Sequence, residues 1–375
     1  MRSKERLLTA IRGGEVDPVP FSPFLAYWWD FAPSSVTCNG QFAFLRELGA
    51  DPLLRGFQTS FTNSDILGLE EDMYNVSDDF PGCQIIRQTN STEKKVTWST
   101  PVGELTLVRT YSPAGKTWMV SHHPIQQKED YKTLLYLVEN MSIQPFYQPV
   151  IDEIAEAGED GLSAPLLSPF RKTPFQALIE HFVGTIKLVY DLYDFPELIE
   201  EVLEAMNQRA REAVEISING PAEAFITWED SSTMNTNPQT FRKYIASELS
   251  EWGNRLHKAG KILIHHACGH VKDLLPEIAE ERVDALESIC PPLTGNTEIW
   301  EAQKVLSRKG ISVIGGIDPV KFQEYDIPAL EGYVKGILNK TSKKRFVLAN
   351  SDSCPPNVTI EKFKKVVAIV QHHSN

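Results

Sequence analysis

His266 and Cys268 stand two residues apart at the end of the apolar run Ile262-Leu263-Ile264, and Cys354 follows the apolar run Phe346-Val347-Leu348-Ala349. Each set of polar groups therefore sits at the far end of a strand-like run. Strand side chains repeat with period two, so His266 and Cys268 are expected to point to one side. One imidazole and two thiolates suit zinc and leave a fourth position open. A thiol bound there loses its proton at neutral pH. Two cysteinate donors leave the metal less electrophilic than a histidine-rich set, so the thiolate keeps its nucleophilicity. That suits alkyl transfer better than water activation.

Other groups end similar runs. Glu229 and Asp230 follow Phe225-Ile226-Thr227-Trp228, and either carboxylate can fill the open position or serve as a loop carboxylate or helix cap. His265 alternates to the face opposite His266 and reads as a packed or supporting histidine. His270 reads as a polar residue at the next helix start. Cys290, after another apolar run and before Pro291-Pro292, replaces Cys354 if the strand register differs. Asp318, in GGIDP, either orients ligands or substrate or is an ordinary turn residue before proline. Asn350 and Asp352 flank Cys354, and Asp352 can accept from a ligand imidazole. Arg87, Arg109 and Arg171 are candidate receivers of an anionic group, Arg171 being nearest a strand end. His122-His123 ends another run and reads as solvent-facing. The cluster Tyr27, Trp28, Trp29 and Phe31 is either a core plug or an aromatic wall against a large planar ligand.

Strands and helices must bring these groups together. The opening MRSKERLLTAIRGG predicts a short amphipathic helix, and a strand is expected over Val19–Ala26. Residues 51–68 show no clean period. From Gly82 to about Val120 apolar and polar residues alternate between turns, which predicts a small antiparallel sheet. From Lys128 onward helix and strand patterns alternate with short loops, including a helix over Phe175–Tyr190 and strands ending near Ser168, Trp228, Cys268, Glu287, Asp318 and Asn350. Such a series implies a parallel sheet covered by helices. No glycine-rich phosphate cradle follows a strand. The expected fold is an α/β (β/α)8 TIM barrel with an N-terminal extension containing the small antiparallel sheet. Residues 1–125 form the extension and inserted sheet and 126–375 the main part of the barrel, in one compact domain. Active groups of such a barrel lie at the C-terminal ends of its strands.

Composition narrows the class. The chain has 375 residues, 42% of them hydrophobic, and a net charge of -13. That is enough for a large core. The acidic balance disfavours a nucleic-acid partner. No long apolar run predicts a membrane span, and the N-terminus has no apolar signal core. Five cysteines in so long a chain suggest thiols in a reducing cytoplasm, not a disulfide scaffold. A homodimer is compatible with these features.

The opening RSKERLLTAIRGGEVDPVPF, the WSTPVGEL segment, the SPF strand end, WED followed by NPQTFRKYI, HHACGHVKDLLPEIAEERVDAL and GGIDP together resemble the uroporphyrinogen decarboxylase superfamily. The likeness spans nearly the whole chain and is nearer to the zinc-dependent corrinoid methyltransferase branch. That resemblance implies zinc held by His266, Cys268 and Cys354. It implies a methylated corrinoid (cobalamin) carried by a partner protein as methyl donor, and a small thiol as acceptor. On this reading Glu229 becomes an exchangeable ligand or orienting group and Asp318 the other candidate catalytic carboxylate. Among the residues already singled out, Tyr27, Trp28 and Arg171 are the candidate cofactor-binding ones. The decarboxylase branch carries an arginine-rich RQAGRY motif; here the corresponding region is FSPFLAYWWDF, with no arginine pair, and Asp30 does not match the motif. Porphyrinogen decarboxylation and methyl transfer to tetrahydrofolate are the alternatives, and a non-catalytic corrinoid-protein partner is the third.

Overall fold

The computed structural model describes residues 1–62 and 80–373. The chain forms two compact units. The first draws on Met1–Phe57, Gln148–Leu166 and Pro221–Asn375, the second on Gln58–Tyr147 and Leu167–Gly220.

The first unit is built on a seven-stranded sheet; only the last two residues of its first strand belong to the second unit. In chain order across the sheet the strands are β1 (Leu53–Thr59), β2 (Leu162–Leu166), β3 (Ala224–Trp228), β4 (Ile262–His266), β5 (Ala285–Ile289), β6 (Ser312–Ile317) and β7 (Phe346–Asn350). The pairings from β2 through β7 are parallel. All residues of β4, β5, β6 and β7 are buried. That is why these strands read as near-continuous apolar runs: a parallel sheet of this kind is covered on both faces. Several connecting helices start on proline, which lacks the N–H that a first turn leaves unused. Asn237 and Asp318 cap two of them by accepting from the Thr240 and Lys321 backbone N–H groups.

The strand expected over Val19–Ala26 is a single parallel bridge between Phe21 and Leu348. Ser22 N–H donates to the Leu348 carbonyl at 2.9 Å, and Leu348 N–H to that of Pro20 at 2.9 Å. On the other side Asp51 N–H donates to the Phe21 carbonyl at 2.7 Å. Pro18, Pro20 and Pro23 offer no donors, so the ladder stops, and the chain turns into the helix Ala26–Phe31. The architecture is thus an α/β fold with seven sheet strands and one bridge in the place of an eighth. Of the stretch 51–68 without a clean period, Leu53–Thr59 is β1, and 63–68 lies outside the described residues.

The second unit contains the antiparallel sheet that the alternation predicts: Gln84–Thr89, Glu93–Thr100, Gly103–Ser112 and Thr117–His122, paired in that order. The helix expected over Phe175–Tyr190 is broken. Pro174–Ala177 runs into a π-helical turn, Leu178–Phe182, and the helix restarts at Thr185–Asp194. Gly184 makes the break at φ 88°; a Cβ there would also lie 3.3 Å from the His123 ring. Among the described residues no helix is long and apolar enough to cross a membrane.

Candidate metal centre

β4 ends at His266, and the sheet register sets what faces it. His266 lies opposite Trp228 of β3 and Glu287 of β5. Residues opposite one another in parallel strands point to the same face. Accordingly His266 Nδ1 is held by Glu287 Oε2 in a short contact, with both side chains buried. Glu287 Oε1 accepts from Arg55 Nε at 2.6 Å. Arg55, on β1, is 1% exposed. Its remaining donors reach the Leu53 carbonyl at 3.0 Å and the Ser22 carbonyl at 2.9 Å. Its guanidinium also lies over the Phe24 ring, whose edge-to-face neighbour is the His266 imidazole at 5.8 Å. The line Arg55–Glu287–His266 therefore fixes the ring and leaves Nε2 to face the strand ends, the arrangement that supports a ligating histidine.

Cys268 lies past the end of β4, in the turn that Gly269 makes at φ 88°. A loop, not a period-two strand, brings it back beside His266. Asp230, just after β3, completes the group. Its Oδ1 is 3.4 Å from Cys268 Sγ and 3.5 Å from His266 Nε2. Nitrogen, sulfur and oxygen donors of Asp230, His266 and Cys268 all lie within 4.8 Å of one another. Glu229 N–H and Asp230 N–H both donate to the His266 carbonyl, at 3.1 and 3.2 Å, which ties the two strand ends together. Asp230 has a φ of 49°, an unusual conformation for a non-glycine residue.

The loop after β7 reaches the same place through Asp352, whose Oδ1 is 4.0 Å from His266 Nε2. Cys354 is buried two residues further on, outside the group of three. Its backbone N–H donates to the Phe24 carbonyl at 2.9 Å, and its thiol contacts the Pro355 carbonyl at 3.8 Å. Cys290 is also buried, with its thiol 3.2 Å from the Ser288 carbonyl.

Acidic side chains surround the His266 imidazole. Burial disfavours a charged His266, but the Glu287 carboxylate, with Asp230 and Asp352 behind it, pushes its pKa up to about 9. Burial raises the Cys268 thiol well above the ordinary value, and Asp230 and Asp352 add to the rise. Burial alone does the same to Cys354. Burial and Asp352 push Cys290 up to about 12. Glu287 goes the other way: burial opposes ionisation, yet Arg55 and His266 hold it below the usual carboxylate range. Imidazole, thiol and carboxylate form a donor set that zinc accepts, and a cation is what would offset the cost of ionising the thiol.

The other expected residues have these places. Glu229 is fully buried beside the group. Asp318 caps the helix Pro319–Glu324 through Oδ1, and its Oδ2 accepts from Thr294 Oγ1 at 2.9 Å. Trp28 is 3% exposed, stacks on Phe44 at 5.1 Å and donates from Nε1 to the Val358 carbonyl, so it is a core plug. Tyr27 is 44% exposed and its N–H donates to Ser353 Oγ at 2.9 Å, beside the Cys354 loop. Arg171 belongs to the second unit. His265 is packed as its alternation predicts: Nδ1 meets Glu281 Oε2 at 2.8 Å, Nε2 meets Ser231 Oγ at 3.1 Å, and Phe241 stacks on the ring. Sequence reasoning missed Arg55. Its only signal is an arginine inside the apolar run Leu53–Phe57.

A parallel α/β sheet with a nitrogen, sulfur and oxygen cluster at its strand ends defines the class of protein. A family profile described as Uroporphyrinogen decarboxylase (URO-D) matches residues 117–373. The chain belongs to that family. Its fold is similar to that of a methyltransferase from Methanosarcina mazei, with a TM-score of 0.61 at 14% identity, covering 99% of this chain and 98% of the other. A slighter likeness, TM-score 0.36 at 11% identity, joins it to a B12-independent methionine synthase from Shewanella sp. W3-18-1, over 94% of this chain and 96% of that one. No curated protein matches this chain in sequence.

Proposed function

We propose that this protein is a zinc-dependent methyltransferase that moves a methyl group from a methylated corrinoid, carried by a partner protein, to a small thiol. The observation that carries the reading is the strand-end group of Asp230, His266 and Cys268. His266 Nε2 and Cys268 Sγ would hold the metal, and Cys354, buried outside that group on the loop whose Asp352 faces His266, would be the third protein ligand. Bound zinc supplies the positive charge that lets a thiol ionise at neutral pH.

The protein's own residues do the rest. Arg55 and Glu287 lock the His266 ring. Asp230 rather than Glu229 would fill the exchangeable position that the acceptor thiol would take; Glu229 holds the strand end. Asp318 supports the rim through Thr294. Tyr27, exposed beside the Cys354 loop, offers an aromatic edge to the corrinoid, and Trp28 supports it from the core. A methylated corrinoid would supply the methyl group to the acceptor sulfur and keep the electron pair of the broken bond, while the Asp230 and Asp352 carboxylates, which face the same place, would take the thiol proton. This reading also sees the Phe21 bridge as the closing element of an eight-position barrel in a cytoplasmic enzyme.

The test is metal analysis of the purified protein followed by incubation with methylcobalamin and homocysteine. The reading expects stoichiometric zinc, loss of the methyl–cobalt absorbance and an S-methyl product by mass spectrometry. Absence of zinc, together with carbon dioxide release from uroporphyrinogen, would overturn it in favour of decarboxylation. Methylation of tetrahydrofolate but of no thiol would reassign the acceptor.

A further inference from the structure

The helix Thr185–Asp194 of the second unit turns polar groups inward and apolar ones outward. Its buried residues are Leu188 and Asp191. Asp191 accepts from the Tyr131 hydroxyl at 2.6 Å and from Lys187 Nζ at 2.9 Å. On the opposite side Ile186 is 76%, Val189 61%, Tyr190 66% and Tyr193 87% exposed. Residues at i, i+3, i+4 and i+7 form one continuous stripe along a helix. A helix that packed only on its own core would carry that stripe on its inner face.

The stripe is large. Two tyrosines, an isoleucine and a valine at those exposures leave on the order of 500 Å² of side-chain surface open, near the upper end of what a monomer shows in one patch. Closing two copies on it removes on the order of 1,000 Å² from water through the stripe alone, most of what a specific dimer needs.

The order of the residues shows what fits. Reversed about its midpoint, the stripe sets Ile186 against Tyr193 and Val189 against Tyr190. Each contact then joins a ring to a smaller aliphatic side chain, the alternation by which facing helices interdigitate. Lys187 and Asp194, seven residues apart, share one flank of the stripe. The same reversal places Lys187 of one copy beside Asp194 of the other, twice over. Asp194 is exposed, and the Lys187 side chain is 29% open. A contact between identical copies needs a patch that is self-complementary in this way. A membrane surface would ask for several lysines and arginines on the flanks, whereas Lys187 is already paired with Asp191 and the chain continues into Asp194 and Glu197.

From this we infer that the helix Thr185–Asp194 is the contact through which two copies of this chain pair, antiparallel, about a two-fold axis passing between Val189 and Tyr190. The inference does not rest on zinc or on methyl transfer.

The experiment is analytical ultracentrifugation of the full-length protein from about 1 to 100 μM. The pairing expects a monomer–dimer equilibrium with a dissociation constant below about 50 μM. Val189→Asp and Tyr193→Asp should each weaken it about a hundredfold, because each change enters the contact twice, with unchanged circular dichroism because both positions are exposed. Asp194→Lys should weaken it about fivefold at low salt and less at high salt, and it keeps the test open if an aspartate in the stripe disturbs the helix. Ile151→Asp, at an exposed apolar position on the helix Gln148–Ala157 of the first unit, should leave the pairing as it is. The inference is overturned by a protein that stays monomeric throughout, by a dimer that survives Val189→Asp and Tyr193→Asp, or by one that Ile151→Asp dissociates equally. A monomer that instead sediments with vesicles of phosphatidylcholine and phosphatidylglycerol would give the stripe to a lipid surface and overturn it as well.

Discussion

Replacing Glu287 by glutamine tests the line that fixes His266. The Arg55–Glu287 contact is 2.6 Å and both side chains are 1% exposed. At an effective dielectric near 20, the attraction across that distance is about 6 kcal/mol. Each ion gave up several kcal/mol of hydration, so the pair itself is worth roughly nothing beyond an apolar pair of the same volume. Removing one partner is a different matter: Arg55 stays buried with its charge uncompensated, and the expected cost is about 3–5 kcal/mol. The same substitution leaves one acceptor oxygen where Arg55 and the His266 ring each use one, so one of the two contacts is lost; loss of the His266 contact should cost about 10–100-fold in metal affinity. Chemical denaturation gives the first quantity and competition with a chromophoric chelator the second. The double variant Arg55→Met/Glu287→Gln should regain most of the lost stability, because no charge is left stranded, while metal affinity stays low. If Glu287→Gln keeps wild-type stability and zinc affinity, the reasoning about this line is wrong. If the double variant is less stable than either single one, the stranded-charge argument fails.

Further outcomes follow from other contacts. Cys268→Ser should strip zinc from the purified protein, measured by atomic emission, with its circular dichroism unchanged. Cys354→Ser and Asp230→Asn separate the third ligand from the exchangeable one: the first should lower zinc affinity by about tenfold or more, the second should retain zinc while changing the KM for the thiol. Burial raises the Glu153 carboxyl to about 7, the Ser163 hydroxyl opposes the rise and Glu156 adds to it. Since the folded pKa exceeds the unfolded one, folding is favoured by the protonated acid; stability should fall as pH rises from about 4.5 to 7. Glu153→Gln should remove that slope and add roughly 1–3 kcal/mol at pH 8, read by denaturation at several pH values.

The strand ends were legible because each fully buried parallel strand is an apolar run that stops at a polar residue. This located Glu229, His266 and Asp318 at strand ends, whereas Glu287, expected at an end, lies in the middle of β5; the alternation located the antiparallel sheet. Two things were not legible. One was that the strand expected over Val19–Ala26 is only a bridge: Val19 and Phe21 carry the apolar signal while Pro18, Pro20 and Pro23 remove the donors that a ladder needs. The other was Arg55, which meets Glu287 from a strand four places away in the sheet, 232 residues apart in sequence. A single chain shows which residues fall in a strand, but not which distant strand's side chains they will meet. The same limit applies to Cys268: its spacing from His266 suggested one continuous strand, yet β4 stops at His266 and a glycine turn makes the approach.

The backbone around the group explains how a loop can be that definite. Asp230, Ser288 and Asp352 all have positive φ, at 49°, 73° and 72°. Each such residue costs about 1–3 kcal/mol and persists only where its surroundings over-determine it. Here they do. The His266 carbonyl accepts from Glu229 and Asp230 together. Asn350 donates to the Asp352 carbonyl at 2.7 Å, and Ser353 N–H donates to Asp352 Oδ1 at 2.6 Å. Ser288 marks the register shift between Glu287 and Ile289 in β5. The strain thus falls on the two acids that face His266 and beside the acid that orients it. A relaxed loop would let the acids separate and shed their mutual repulsion. The His266 imidazole, pushed up to about 9 by these acids against the cost of burial, is the positive charge that stands among them; under the proposed function a metal ion would take that place.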